Sequence, residues 1–190
     1  MVRAGITTER LVAAAAELAD ESGLDKVTLS ALARRFGVKD ASLYAHIRNL
    51  RELRVRLALL ASHEMNEAIG AAVAGRSGRD ALVGFADAYR DYALAHPGRY
   101  AASQQRIEPA EVEDTTVLQR AVELTYGMLR GYGLAEPELT DAARLLRATF
   151  HGYIHLELGG GFQHTRPVAA SWARSLDALH HLLENWGKRK

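Results

Sequence analysis

The side chains with the clearest binding chemistry lie in one short segment, residues 39 to 46. Its polar and charged members are Lys39, Asp40, Ser42, Tyr44 and His46. Ser42, Tyr44 and His46 can bond to bases or phosphate, and Tyr44 with the small Ala41 and Ala45 can meet a thymine methyl group. The segment therefore has the chemistry of a surface that binds nucleic acid. The alternative is the polar surface of a helical hairpin that belongs to the core.

Two short helices joined by a tight turn are predicted to position this segment. Thr28 can cap the first helix, and its apolar face repeats at three and four residues through Leu29, Leu32, Ala33 and Phe36. Gly37 stands where a left-handed residue normally closes a helix. The second helix has an inward apolar face of Val38, Leu43 and Ile47. Its polar residues must then point outward, where the second helix of a helix–turn–helix reads base edges in the major groove.

The charge is concentrated around these helices, although the whole chain of 190 residues carries a net charge of only +1. Between residues 34 and 56, Asp40 and Glu52 face seven basic residues: Arg34, Arg35, Lys39, Arg48, Arg51, Arg54 and Arg56. A basic segment beside a recognition helix is typical of phosphate binding. The alternative is a charged face that keeps the protein in solution.

A wider pattern runs through residues 6 to 60, carried by Thr28, Leu32-Ala33, Phe36-Gly37-Val38, Leu43-Tyr44, Asn49 and Leu53. This pattern resembles the N-terminal signature of TetR-type transcriptional regulators. The resemblance implies a helix before the pair, and a long helix from near Asn49 that leads into a ligand-binding domain.

Two positions depart from the family pattern. Leu50 stands where the family usually has a lysine that contacts phosphate, so Arg48 or Arg51 is expected to take that role. Lys39 stands where a serine or threonine commonly caps the recognition helix, with Asp40 as a displaced cap. The predicted DNA-contacting residues are Thr28, Lys39, Asp40, Ser42, Tyr44, His46, Arg48 and Arg51.

The rest of the chain is predicted to be helical, because no stretch alternates at period two over the length of a strand. A first helix from Thr7 or Thr8 to Ser22 precedes the hairpin, and an Asn49–Glu52 capping box opens a fourth helix of about 25 residues. Further helices are predicted over 80–95, about 98–106, 110–132, 138–158 and 168–186. The fold class is all-α with about nine helices, divided into a DNA-binding domain (1–50) and a ligand-binding and dimerisation domain (51–190).

Composition limits the class of protein and its compartment. Hydrophobic residues make up 48% of the chain and charged residues 25%, as in ordinary soluble proteins. The sequence has no cysteine, which excludes disulfides and thiolate metal sites. No secretory signal is evident, and no run approaches the roughly 18 apolar residues of a membrane span. A cytoplasmic protein without a cofactor and without a membrane partner is expected.

The C-terminal part resembles a TetR subtype known for a Trp-His-Gly motif, through Phe150-His151-Gly152 and the stretch HLELGGGF at 155–162. In the wider family the last two long helices pair with those of a second subunit. Apolar residues cover much of the circumference of the helices at 142–158 and 172–186. This fits a homodimer, since a monomer would expose a large apolar patch. A two-fold dimer also matches two DNA half-sites one turn apart.

In family members a small ligand sits between the long helices of the second domain. Candidates with aromatic rings or polar tips are His63, Asn66, Tyr89, Tyr92, Tyr100, Gln104, Tyr126, His151 and His155. Such a set suits an apolar or aromatic molecule. The alternative is structural, with Tyr89 and Tyr92 as core residues and the histidines buried and hydrogen-bonded.

The expected function is a ligand-responsive, DNA-binding dimer that is not an enzyme, of the kind that a small molecule releases from its operator. Two other classes stay open. One is a metal-dependent hydrolase that uses His151 and His155, which are spaced i, i+4 and would need a third ligand. The other is an all-α adaptor that binds a protein through its C-terminal helices without touching DNA.

Overall fold

The computed structural model describes residues 5–112 and 114–187. Within these ranges the chain forms nine helices and no strand: α1 (Thr8–Ser22), α2 (Leu29–Phe36), the 3₁₀ helix α3 (Asp40–Ala45), α4 (Leu50–Val73), α5 (Gly78–Ala95), α6 (Pro97–Ser103), α7 (Thr116–Arg130), α8 (Glu138–Leu158) and α9 (Val168–Glu184). Short 3₁₀ turns at Leu24–Lys26 and Pro109–Glu111 lie in the connections. The predicted all-α class is confirmed.

Internal contacts divide the chain into two compact units. The N-terminal unit comprises residues 1–64 with 95–118, and the C-terminal unit comprises residues 65–94 with 119–190. The division therefore falls inside α4, which runs unbroken from Leu50 to Val73. No helix in the described ranges has the length and apolar character that crossing a membrane requires.

The N-terminal unit is held by a core to which each of its first four helices contributes a fully buried side chain. These include Leu11 of α1, Leu32 of α2, Leu43 of α3 and Leu57 of α4, each 0% exposed. Removing such leucines from water contributes about 1.5–3 kcal/mol each, so they fix the angles between the helices. The surface of the short α3 is thereby set by its one anchored leucine and by the helices beneath it.

Local capping explains where α1 and α2 begin and end. The Thr7 hydroxyl accepts a hydrogen bond from the Arg10 N–H at 3.3 Å, and the Thr28 hydroxyl accepts one from the Ala31 N–H at 3.1 Å. Gly37 closes α2 with φ of 66°, in the left-handed region that favours glycine. The predicted caps and the predicted left-handed closure are therefore confirmed.

α6 approaches α1 so closely that only glycine fits at the contact. A Cβ added to Gly98 would lie 2.0 Å from the carbonyl carbon of Ala19, and Gly98 itself is buried. Beside this contact, Asp20 of α1 accepts a hydrogen bond from the Arg99 N–H at 2.9 Å. The start of α6 is thus fixed on the end of α1 by both packing and hydrogen bonding.

The C-terminal unit has an aromatic cluster at its centre. The ring of Phe150 in α8 lies 6.0 Å from Tyr89, 6.3 Å from Phe85 and 5.6 Å from Trp172, measured between ring centroids. Trp172 also donates its indole N–H to Asp87 at 2.8 Å. These rings join α5, α8 and α9 into one body, and offset aromatic pairs add about 0.5–1.5 kcal/mol each beyond burial.

Several helix boundaries differ from the sequence prediction, and two further ones, the start of α5 at Gly78 and the end of α7 at Arg130, each lie two residues from the predicted position. α6 ends at Ser103 instead of near 106, and α7 begins at Thr116 instead of 110. α7 does not begin at 110, because Glu108 and Glu111 form a separate capped 3₁₀ turn. At the actual start of α7, the Asp114 carboxylate accepts the Thr116 N–H at 2.8 Å. α9 ends at Glu184 instead of 186.

Candidate DNA interface and effector-binding residues

The recognition segment, residues 39–46, presents most of its polar residues to solvent, as predicted. Leu43 and Ile47 are buried, at 0% and 3% exposure, while Tyr44 is 57% exposed. Lys39, Asp40 and Ser42 are exposed as well. The buried Leu43 anchors α3 in the core and thereby helps to hold the outward face in a defined orientation.

His46 is placed less openly than its neighbours. It is half-buried at the end of α3. Its backbone carbonyl accepts a hydrogen bond from the Thr8 hydroxyl at 2.9 Å, which ties the segment to the first turn of α1. The backbone of His46 therefore helps to hold α3 against α1, and the residue is only partly available to a ligand of the exposed face.

The start of α3 differs from the expected displaced cap. The Asp40 carboxylate accepts a hydrogen bond from the hydroxyl of Ser30 on α2, and Lys39 at the N-cap makes no capping bond through its side chain. Asp40 therefore links α2 to α3 instead of capping α3. Without a cap, residues 40–45 form a 3₁₀ helix, the tighter form that proteins use in short pieces.

The start of α4 is a capping arrangement with one shifted bond. Asn49 accepts the Glu52 N–H at 2.9 Å, as predicted, but Glu52 accepts the N–H of Arg48 at 2.8 Å rather than that of Asn49. The Arg48 N–H, helped by the side chains of Arg56 and Arg48, lowers the pKa of Glu52 to about 2. The Arg48 side chain remains 84% exposed beside α3.

Carboxylates hold several of the basic residues of this region. Arg35 pairs with Glu17 and Glu21 at 2.7 and 2.8 Å. Arg51 pairs with Glu111, which is 60 residues away in sequence. Lys39 and Arg34 are exposed and make no ion pair within the described ranges. Sequence reasoning missed Ser30, Glu17, Glu21 and Glu111, and no spacing signal could have revealed contacts that depend on tertiary packing.

The nine predicted effector-contacting residues are distributed over both units. His63, Tyr100 and Gln104 lie in the N-terminal unit, and Asn66, Tyr89, Tyr92, Tyr126, His151 and His155 lie in the C-terminal unit. Four are buried, namely Asn66, Tyr89, Tyr92 and Tyr100, whereas His63 and His155 are exposed. Gln104 donates to the Ser103 hydroxyl at 3.0 Å, and the Tyr126 hydroxyl lies 3.1 Å from that of Thr140. Tyr89 belongs to the aromatic cluster of the C-terminal unit.

His151 and His155 stack on one face of α8, with ring centroids 6.2 Å apart. Burial lowers the pKa of His151, and the charges of His155 and Arg147 add to that effect. The described part of the chain contains no group of three or more histidine or acidic residues that could hold a metal ion. The two histidines therefore lack the third ligand that a catalytic metal site requires.

The sequence matches two models of known protein families. Residues 11–57 match the model for bacterial regulatory proteins of the tetR family. Residues 82–179 match the model described as a tetracyclin repressor-like C-terminal domain. Together the matches include the recognition segment, the first turns of α4 and most of the helices of the C-terminal unit.

Individual proteins are similar over nearly the whole chain. YobS of Bacillus subtilis (strain 168), an uncharacterized HTH-type transcriptional regulator, is 32% identical, and the match spans 92% of this chain and 91% of YobS. A protein of unknown function from Rhodococcus sp. RHA1 has the same fold, with a TM-score of 0.75, 24% identity and coverage of 93% and 95%. The structure of BioQ with its double-stranded DNA operator superposes with a TM-score of 0.68 at 21% identity, covering 95% and 99% of the two chains.

Proposed function

Because the chain belongs to the TetR family of bacterial regulatory proteins, it is a DNA-binding transcriptional regulator and not an enzyme, and we propose that it is a repressor which a small molecule releases from its operator. We assign residues 1–50 to DNA binding and residues 51–190 to effector binding and dimerisation. A bacterial regulator that binds operator DNA acts in the cytoplasm, which is where we place it.

The proposal is carried by one observation, the exposure of a polar face on a firmly anchored recognition helix. Ser42 and Tyr44 point away from the core that buries Leu43. In the major groove a hydroxyl can bond to base edges and an aromatic ring can contact a thymine methyl group. Lys39 and Arg48 flank this face as exposed cations and would bind phosphates, which fixes the register of the protein on DNA.

We further propose that the active form is a homodimer built from α8 and α9. These helices expose Leu156, Leu158 and Leu182, each between 44% and 48% accessible. Large apolar side chains exposed on two helices favour association, because burying them removes apolar surface from water. A two-fold dimer would present two copies of α3 to half-sites about one DNA turn apart.

The effector is proposed to be an apolar or aromatic molecule that binds among the predicted residues of the second domain. Support comes from the aromatic cluster around Phe150 and from His151, whose lowered pKa favours the neutral ring. Phe150 occupies the central position of this cluster, which fits our assignment of the C-terminal part to the Trp-His-Gly subtype. Release requires that the effector bind more tightly to the conformation that does not fit DNA.

Binding to the DNA upstream of the protein's own gene tests the proposal. Fluorescence anisotropy at several salt concentrations should show log K falling linearly with log salt between about 50 and 200 mM. Affinity that does not change with salt would exclude phosphate contacts. It would favour the adaptor reading, in which the apolar C-terminal helices bind a protein.

The effector class is tested on the preformed protein–DNA complex. Aromatic and apolar small molecules that release the DNA should also raise the melting temperature of the free protein, because a ligand of the native state stabilises it by mass action. A compound that releases DNA without stabilising the free protein would act on the DNA and not on the proposed site.

A further inference from the structure

The guanidinium of Arg51, in the first turn of α4, is held by three hydrogen bonds within the N-terminal unit. Its Nε and Nη2 donate to the two carboxylate oxygens of Glu111, both at 2.6 Å, and Nη2 also donates to the Arg106 carbonyl at 2.7 Å. This is the parallel two-point geometry in which arginine binds carboxylates and phosphates alike. Glu111 thus presents to Arg51 two acceptor oxygens, as a DNA phosphate also would.

Arg51 lies close in sequence to the recognition helix α3. It is three residues after Arg48 and six after the last residue of α3, and exposed cations around a recognition helix set its register on DNA. Its side chain is 46% exposed and that of Glu111 is 26% exposed. The pair is therefore open to solvent on one side, so another anion can approach Arg51.

Glu111 is fixed in its ionised, acceptor form. It also accepts the Glu108 N–H at 2.8 Å, and the two residues cap the 3₁₀ turn Pro109–Glu111. The Arg51 guanidinium, together with the Glu108 N–H, lowers the pKa of Glu111 to about 2. Its negative charge is therefore present at every physiological pH, and the turn holds it in place for Arg51.

We propose that Glu111 occupies Arg51 in the free protein and that a DNA phosphate takes Arg51 from it on binding, so that Glu111 lowers the affinity for DNA. This inference rests on the proposed function, because it assigns Arg51 to the phosphate-contacting surface. The exchange breaks two hydrogen bonds to Glu111 and forms equivalent bonds to phosphate oxygens. Breaking the Arg51–Glu111 contact thereby offsets part of the favourable free energy of DNA binding.

Glu111→Gln tests the competition, because glutamine keeps the side-chain length and an oxygen for the Glu108 N–H but removes the charge. We expect affinity for DNA to rise roughly fivefold, at the low end of couplings between linked sites. Glu108→Gln is the matched control. It makes the same charge change three residues away, on a residue that pairs with Arg106 and is half exposed, and it should leave affinity almost unchanged.

A double-mutant cycle identifies the residue through which Glu111 acts. Adding Glu111→Gln to an Arg51→Gln variant should give no further increase in affinity. In the Glu111→Gln background, Arg51→Gln should reduce the slope of log K against log salt by about 1 per subunit, the contribution of one phosphate contact. Circular dichroism of each variant verifies that the helices are intact.

The DNA can be any duplex of about 30 base pairs at low salt, because phosphate contacts carry no sequence information. Equal gains from Glu111→Gln and Glu108→Gln, an unchanged or lower affinity for Glu111→Gln, or a gain that persists without Arg51 would each overturn the inference. If the wild-type protein binds no duplex at all, the proposed function fails; if it binds and Glu111→Gln changes nothing, only the competition fails.

Discussion

Tyr44 is the residue whose loss should separate DNA binding from folding most cleanly. It is 57% exposed, so Tyr44→Ala should change the free energy of unfolding by no more than about 0.5 kcal/mol. Its affinity for operator DNA should fall about tenfold or more, because a base contact in the major groove contributes about 1–3 kcal/mol. Anisotropy titrations and urea denaturation measure the two effects on the same samples.

Tyr44→Phe refines that experiment, since it keeps the ring and removes the hydroxyl. A loss confined to Tyr44→Ala would indicate contact with a thymine methyl group, whereas an equal loss in both variants would indicate a hydrogen bond. Wild-type affinity in a folded Tyr44→Ala dimer would contradict the assignment of α3 as the reading helix.

Single residues were predictable from sequence where their partners are local. Thr7, Thr28 and Gly37 act within three or four residues, so their identity and position were sufficient to assign them as caps or as a left-handed closure. Arg51 illustrates the opposite case. Its charge suggested a phosphate contact, but its partner Glu111 is distant in the chain and becomes its neighbour only after folding.

The start of α4 provides a pH dependence whose sign can be worked out. The pKa of Glu52 is about 2 in the folded protein against an ordinary 4.5, so the charged form is favoured by folding. That contribution is complete above pH 4.5 and is lost as the pH falls toward 2. Glu52→Gln should therefore be less stable than the wild type at pH 7, and the difference should shrink below pH 4.5.

Urea denaturation of both proteins at pH 7, 4.5 and 3 measures this effect. A difference in the free energy of unfolding that stays constant over this range would show that the charge of Glu52 does not stabilise α4. Aspartate at this position is a useful third variant, because its shorter side chain keeps the charge and loses the reach to the Arg48 N–H.

The α1–α6 contact should tolerate no side chain at position 98. Gly98→Ala would place a carbon 2.0 Å from the backbone of Ala19, so the two helices must move apart. We expect a loss of at least about 1–3 kcal/mol in the free energy of unfolding, as for overpacked cores. Gly127→Ala inside α7 is the control, because its Cβ would meet no atom within 4 Å and should stabilise the helix by about 0.5–1 kcal/mol. Equal effects of both substitutions, measured by thermal denaturation, would refute this account.

At the scale of elements, hydrophobic periodicity predicted the long helices well and the short connections less well. α5 and α8 were predicted to within two residues, since each has an apolar stripe many turns long. The starts of α3 and α7 instead involve single side-chain bonds, in which Asp40 accepts from the Ser30 hydroxyl and Asp114 accepts from the Thr116 N–H. Periodicity carries no information about such bonds.

For the whole molecule, the apolar side chains that α8 and α9 leave exposed allow the proposed homodimer to be tested. Leu182 is 45% exposed, while its neighbour Leu183 is 1% exposed and belongs to the core of its own chain. A charge at position 182 should therefore be tolerated by the monomer and excluded from an apolar dimer interface, where a buried unpaired carboxylate costs several kcal/mol.

Leu182→Glu should consequently yield a folded monomer, with the mass of one chain in light scattering and an unchanged helical content. Its affinity for a two-half-site operator should fall by more than tenfold, because two linked recognition helices gain effective concentration that one helix lacks. Val122→Glu is the matched control, since Val122 on α7 is 52% exposed and lies outside α8 and α9. A dimeric Leu182→Glu protein, or dissociation by both substitutions alike, would place the interface elsewhere and leave the spacing of the two α3 helices to another surface.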